Sequence, residues 1–177
     1  MALVSVRYKF SQRFAVPVED AFAWSIDYEP SDWKRMGLQG KRKIKRLTDD
    51  AIILEDTRPT DKGPVTKTRL VRINHERHSF SNTHVDGPTP HSQFWYEFFP
   101  EGDGGSRLDF TGLLLLPSKK KLSDAEVAKM GQGEPPWDIA YLVTNVTRGH
   151  VDDRKLFVWD PSSQAFVESP LEVREGS

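Results

Sequence analysis

The chain has 177 residues, and its 25 Lys and Arg against 26 Asp and Glu give a net charge of −1. This length predicts one domain with a substantial core, and the near-zero charge argues against a nucleic-acid or other polyanionic partner. Because there is no cysteine, disulfides and thiolate metal sites are excluded, and we expect a cytoplasmic protein.

The N-terminal sequence "MALVSVRYKF" alternates and contains two cations, so we expect no signal peptide. The longest apolar run, Leu113–Leu116, is far shorter than the roughly 20 residues of a membrane-spanning helix. We therefore expect no stable membrane insertion, and a monomer or weak homodimer in solution.

The first predicted elements are a strand and two short helices. Leu3–Phe14 alternates between apolar and polar residues, as a half-buried strand does. Pro17 suits the start of a helix, and Pro30 ends that helix. A second short helix is predicted at Ser31–Met36, before Gly37.

Six further strands are predicted, and their hairpin-length connections favour an antiparallel sheet. They are Lys41–Leu47, Ala51–Thr57, Val65–Asn74, His78–Val85, Ser92–Phe99 and Arg107–Leu116. The first of them lies in a run of seven basic residues, Lys34–Arg46, that has no acidic residue. We interpret this run as a solvated strand face, because binding of single-stranded nucleic acid needs aromatic residues among the cations.

Helical patterns follow the strands. "SDAE", with Ser123 and Glu126, is a capping box that predicts a short helix. After the break "GQGEPP", an apolar stripe predicts a long helix from Trp137 to about Phe157. We predict one domain over residues 1–160 and a C-terminal tail over 161–177, with at most a short strand at 165–167 and disorder after it.

Together these elements predict an α+β fold. A curved antiparallel sheet of about seven strands grips a long C-terminal helix, and two short helices lie between strands 1 and 2.

Four stretches, in this order, carry a resemblance to a known superfamily. They are "FAVPVEDAFAWSIDYE" with its Asp27, "RLTDDAIILEDT" with "TKTRLVRI", "FWYEFFPEGDGGSRLDF", and the helix from Trp137. The chain thereby resembles the START / Bet v 1-like superfamily, also called SRPBCC or helix-grip, up to about Phe157. Its departures are the extra capped helix, the Pro-Pro break and Gly149 within the long helix.

The resemblance implies a cavity between sheet and long helix that holds an apolar small molecule. Relatives include lipid and sterol carriers, hormone-binding proteins and polyketide cyclases, and no catalytic motif carries over residue by residue. Aromatic side chains suit the lining of such a pocket. The residues that we expect to line it are Phe22, Trp33, Met36, Phe80, Tyr96, Phe110, Trp137, Tyr141 and His150.

Candidate chemistry is sparse. His75, His78, His84 and His91 fall within 17 residues, but spacing places the first two on opposite faces of a continuous strand, so we predict no metal site and no cofactor. His150 and Asp56 are the only candidates for proton transfer. Polar residues that could orient a ligand are Thr66, Thr68, Asn82, Thr111 and Tyr141.

Three hypotheses remain from the sequence. The first is a non-catalytic protein that binds or transports a lipid, an isoprenoid or an aromatic metabolite. The second is a polyketide cyclase or dehydratase, a lyase-like enzyme that uses a cavity histidine or carboxylate. The third is a protein-interaction module with a closed core.

Overall fold

A computed structural model describes residues 2–31, 39–102, 104–118 and 166–176, together with residue 125. Its elements are β1 (Ala2–Phe14), α1 (Val18–Ile26), β2 (Lys41–Thr48), β3 (Ala51–Arg58), β4 (Val65–Asn74), β5 (Ser79–Asp86), β6 (Gln93–Glu101), β7 (Gly105–Ser118) and β8 (Phe166–Gly176). The eight strands form one sheet in the order β2-β3-β4-β5-β6-β7-β1-β8. Every neighbouring pair is antiparallel.

The seven strands predicted from sequence all have a counterpart, with bounds that differ by at most two residues. Period-two alternation of apolar and polar residues placed these strands correctly, and hairpin-length connections correctly predicted the antiparallel pairing. The first predicted helix is also confirmed as α1, with Pro17 as its N-cap residue and Asp27 as its C-cap residue.

The C-terminal segment departs from the prediction. We expected at most a short strand at 165–167 and disorder after it, but β8 pairs with β1 and makes the sheet eight-stranded. Three helices were predicted at Ser31–Met36, Ser123–Gly131 and Trp137–Phe157. Apart from Ser31 and Ala125, they lie outside the described residues. The division of the chain at residue 160 remains a prediction.

One face of the sheet, here called the inner face, carries most of the buried core. Along β3, β5 and β6 every second residue is buried and the residues between them are half-buried or exposed. The buried hydrophobic residues are Phe14, Val18, Ala21, Phe22, Ile52, Leu54, Val71, Ile73, Phe80, Phe94, Tyr96, Phe98, Leu108, Phe110 and Leu114.

Helix α1 packs on one end of this inner face. Its Phe22 ring meets the Phe98 ring of β6 edge-on at 5.9 Å, and Phe98 stacks on Phe14 of β1 at 6.3 Å. Phe22 also meets the rings of His75 and His78 in the β4–β5 turn. Both histidines therefore lie on the same side, because they belong to a turn and not to the continuous strand that the spacing argument assumed.

Candidate functional site

Four stacked aromatic side chains cover the centre of the inner face, and we call them the aromatic floor. They are Phe80, Phe94, Tyr96 and Phe110, all buried. Phe80 stacks on Tyr96 at 4.2 Å between ring centroids, and Tyr96 meets Phe110 edge-on at 5.0 Å. Alternation along β5, β6 and β7 directs these rings to the same face of the sheet. The antiparallel register then makes them neighbours, because it pairs Phe80 with Tyr96 and Tyr96 with Phe110.

Next to the aromatic floor, the same face becomes polar at the ends of β3 and β5 and the starts of β2 and β4. We call this group the polar cluster, and its members are Arg42, Asp56, Lys67, Arg69, Asn82 and His84. Register explains the grouping, since Asp56 faces both Arg42 and Lys67, and Arg69 faces His84.

A buried carboxylate organises the polar cluster. Arg42 donates from Nε to Oδ1 of Asp56 at 2.7 Å and from Nη2 to Oδ2 at 3.2 Å, and Nη2 of Arg69 also donates to Oδ2. The side chains of Asp56 and Arg42 are 9% and 8% exposed, and that of Arg69 is 17% exposed. Arg42 also lies over the Tyr28 ring at 5.7 Å, which links the cluster to the end of α1.

Lys67 adds a third cation. Its side chain is half-buried, and no hydrogen bond or ion pair joins its amine to another of the described residues. Burial, together with the charges of Arg69 and Arg58, lowers the pKa of Lys67 to about 8, although Asp56 acts in the opposite direction. Such a pKa places a substantial fraction of neutral amine near physiological pH.

His84 is neutral at physiological pH. Burial and the charges of Lys67 and Arg69 lower its pKa to about 3. Its Nδ1 lies 3.2 Å from the carbonyl oxygen of Thr89 and 2.9 Å from Oγ1 of Thr89. Because a carbonyl oxygen only accepts, Nδ1 carries the proton, and Nε2 is left as a weak acceptor.

Several buried polar atoms have no hydrogen-bond partner among the described residues. They are Nε of Arg69, Oδ1 of Asn82, and both amide atoms of Gln12. Such atoms cost about 1–3 kcal/mol each, so a protein interior rarely contains them without a reason. Two of the four lie in the polar cluster, beside the aromatic floor.

The residues predicted to line a pocket divide into two groups. Phe80, Tyr96 and Phe110 belong to the aromatic floor, and Phe22 lies at the α1 end of the same face. The others, Trp33, Met36, Trp137, Tyr141 and His150, lie outside the described residues. Contact of any of these with a ligand stays a prediction.

Of the two candidates for proton transfer, only Asp56 is described. Both of its carboxylate oxygens accept from guanidinium groups, so its geometry is that of a counter-ion. Among the predicted ligand-orienting residues, Asn82 is buried on the inner face. Thr66 instead bonds Thr57 at 2.8 Å on the exposed side, and Thr111 lies on the outer face, so these two assignments were wrong.

Sequence reasoning missed three members of the polar cluster, namely Arg42, Lys67 and Arg69. The sequence indicates a solvated face for the basic run, and in its described part Lys41, Lys43 and Lys45 are indeed exposed. Arg42 turns inward because strand residues alternate. The signal that could have found them is that cations occupy inward-facing positions of adjacent strands. Recognising those positions requires the strand register.

The outer face carries a separate groove of about 820 Å³ across β4, β5, β6, β7 and β1. Trp95, Leu113 and Leu115 supply its apolar surface, and Arg7 and Arg72 supply its positive charge. Trp95 is 37% exposed. Phe80 and Tyr96 of the aromatic floor also border this groove. Strand alternation directs their side chains to the inner face, opposite to Trp95.

Within the described residues, no three histidines or carboxylates come close enough to hold a metal ion. No helix in the same part of the chain has the length and apolar character needed to cross a membrane.

Comparison with known proteins gives matches at the level of structure. No protein-family model and no curated protein matches the sequence. The chain is similar to the ZhuI aromatase/cyclase from Streptomyces sp. R1128, with a TM-score of 0.62 and 14% identity over 86% of this chain and 90% of that one. It is similar to Ara h 8.0201, with a TM-score of 0.61 and 13% identity over 85% of this chain and 97% of that one.

A third match is the di-domain aromatase/cyclase StfQ of the steffimycin biosynthetic pathway. The TM-score is 0.63 with 12% identity, and the match covers 86% of this chain and 49% of that one. Identities this low establish the fold and not the activity. The chain has the helix-grip fold that its sequence resemblance indicated, and it shares this fold with aromatase/cyclases and with Ara h 8.0201.

Proposed function

We propose that this protein binds an aromatic or otherwise apolar small molecule on the inner face of its sheet, against the aromatic floor. The observation that carries this proposal is the juxtaposition of stacked rings and unpartnered polar atoms on one face. Ligand sites combine an apolar lining with a few convergent polar groups in this way.

A closed core that serves only stability fits these residues less well. Burying cations is costly, and well-packed apolar residues in their place are often neutral or stabilising. The polar cluster nevertheless places Arg42, Lys67 and Arg69 around one carboxylate. We infer that the cluster is retained because it contacts a polar group of a ligand.

The test is direct binding. Purified protein is examined by native mass spectrometry and its organic extract by liquid chromatography and mass spectrometry, which reveal any co-purified molecule. Methyl 2-naphthoate, an uncharged bicyclic ester, is then titrated by calorimetry. We expect saturable one-to-one binding.

Two substitutions on neighbouring residues of β6 locate that binding. Tyr96→Leu alters the aromatic floor, and we expect it to weaken methyl 2-naphthoate binding several-fold. Trp95→Leu alters the outer groove and should leave the affinity unchanged. Loss of binding in Trp95→Leu alone would move the site to the outer face, and absence of binding by the wild-type protein would contradict the proposal.

A second candidate function is proton transfer of the kind a cyclase or dehydratase requires. The observation in its favour is the half-buried amine of Lys67, whose pKa of about 8 suits a general base near neutral pH. His84 is a much weaker base. The test measures hydrogen–deuterium exchange at the methyl group of 2-acetylnaphthalene in D₂O by NMR. The wild-type protein should catalyse this exchange, and Lys67→Met should abolish it.

A further inference from the structure

Within the described residues, the polar cluster has an excess of positive charge. Arg42, Lys67 and Arg69 carry three positive charges against one negative charge on Asp56, since His84 is neutral. Both oxygens of Asp56 already accept from arginines, which leaves the amine of Lys67 without an acceptor among these residues. A second anion would therefore be stabilised here, and more strongly than at the protein surface because water is largely excluded.

Two further polar groups in the cluster have unused hydrogen-bonding capacity. In the part of the chain that the structure describes, Nε of Arg69 is a buried donor with no partner, although Nη2 of the same guanidinium holds Asp56. Asn82 is 3% exposed, and its Oδ1 has no partner in that same part. Rotation of the side-chain amide by 180° exchanges Oδ1 and Nδ2, so that Nδ2 can donate in the position that Oδ1 occupies. This rotation breaks no hydrogen bond of Asn82 with the described residues.

The strand register places these groups around one point of the inner face. Lys67 and Arg69 are two residues apart on β4, so their side chains project from the same face. Asn82 lies on β5 diagonally across from Arg69, which faces His84. Such diagonal neighbours are about 7–8 Å apart at Cα, within reach of long side chains. The ring of Phe94 in the aromatic floor lies opposite Asn82 and 4.9 Å from the ring of His84.

We propose that the polar cluster binds the carboxylate of an aromatic acid, with Lys67 and Arg69 as cationic donors, Asn82 as a third donor, and the aromatic floor beneath the ring system. This inference rests on the proposed function and adds the chemical class of the ligand. Arg42 and Asp56 act as positioning residues, since they hold the guanidinium of Arg69.

The experiment compares two ligands with the same ring system. 2-Naphthoate carries the carboxylate, and methyl 2-naphthoate replaces it with an uncharged ester. Both are titrated by isothermal calorimetry at pH 7 and at a fixed moderate ionic strength. We expect 2-naphthoate to bind at least tenfold more tightly, since one charged hydrogen bond in a buried site is worth at least that factor.

Three variants assign this preference to the cluster. Lys67→Met removes one cation, and we expect it to reduce the ratio of acid affinity to ester affinity about tenfold. Asn82→Asp adds a negative charge in the same volume and should reverse the preference. Lys45→Met removes an exposed cation of the outer face and should change neither affinity.

The outcomes separate this inference from the function on which it rests. If the ester binds as tightly as the acid, ligand binding stands and the carboxylate subsite is overturned. The subsite is equally overturned if the acid is preferred but Lys67→Met and Asn82→Asp keep that preference. If neither ligand binds the wild-type protein, the proposed function fails first, and this inference fails with it.

Discussion

Replacing the buried carboxylate of Asp56 by an amide should destabilise the protein far more than the same replacement at the preceding residue, Glu55. Asp56→Asn leaves the side-chain shape nearly unchanged but removes the counter-ion of two arginines. Its side chain is 9% exposed, and those of Arg42 and Arg69 are 8% and 17% exposed. Removal of one partner from a buried ion pair costs about 3–5 kcal/mol, because a desolvated charge is left uncompensated.

The matched control is Glu55→Gln on the opposite face of the same strand. Glu55 pairs with Lys43 at 3.7 Å, and the two side chains are 45% and 85% exposed. An ion pair this exposed contributes under about 1 kcal/mol. Urea unfolding at pH 7, followed by circular dichroism, gives the free energy of unfolding for both variants.

We expect the urea concentration at the unfolding midpoint to be much lower for Asp56→Asn than for the wild type, with little change in the slope of the free energy of unfolding against urea concentration. The midpoint of Glu55→Gln should stay near the wild-type value. Equal and small effects at both positions would show that water reaches Asp56. In that case the polar cluster is not a buried, strongly electrostatic site.

Three further predictions concern stability. Gln12→Leu should raise the free energy of unfolding by about 1–3 kcal/mol in urea titrations, because both amide atoms of Gln12 are buried and have no partner within residues 2–31, 39–102, 104–118 and 166–176. A loss of stability would mean that these atoms do have partners. Gly87→Ala should lower the thermal midpoint more than Gly63→Ala: both glycines have positive φ, but a Cβ at Gly87 would lie 3.0 Å from a backbone oxygen, whereas at Gly63 it meets open space. Equal losses would contradict that comparison. Burial and two neighbouring cations lower the pKa of His84 from 6.5 to about 3. Between these pH values the unfolded chain therefore binds one more proton than the folded protein does. The free energy of unfolding should decline as the pH falls, by up to about 1.4 kcal/mol per pH unit. Urea titrations from pH 7 to pH 4 should show this loss reduced in His84→Gln and retained in His91→Gln, and an unchanged loss in His84→Gln would disprove the assignment.

Strand positions could be predicted because their residues alternate. In β7, Leu108 and Phe110 are buried, and Asp109 between them is polar and half-buried, so the alternation is visible without a structure. Phe80, Tyr96 and Phe110 of the aromatic floor were expected to line a cavity because of the family resemblance and their aromatic character, and contact with a ligand stays a prediction.

The last strand could not be found in this way. β8 contains Pro170, which cannot donate to a neighbouring strand and argues against a strand by pattern alone. The structure accommodates it at the edge of the sheet, where the β1–β8 register shifts between Arg7 and Lys9. An edge strand with a bulge tolerates proline, and only the pairing reveals this.

The polar cluster depended on register as well. Arg42 lies far in sequence from Lys67 and Arg69, and charged residues in strands usually face solvent. Pairing of Asp56 with both Arg42 and Lys67 is what brings them together. No local pattern encodes which residue lies opposite which across three strands.

The central claim is that a ligand lies on the inner face, against the aromatic floor. The most direct measurement is an isotope-filtered NOE spectrum of uniformly ¹³C-labelled protein with unlabelled 2-naphthoate. We predict cross-peaks from the ligand to the ring protons of Phe80, Tyr96 and Phe110. Cross-peaks to Trp95, Leu113 and Leu115 instead would place the ligand in the outer groove and contradict the claim.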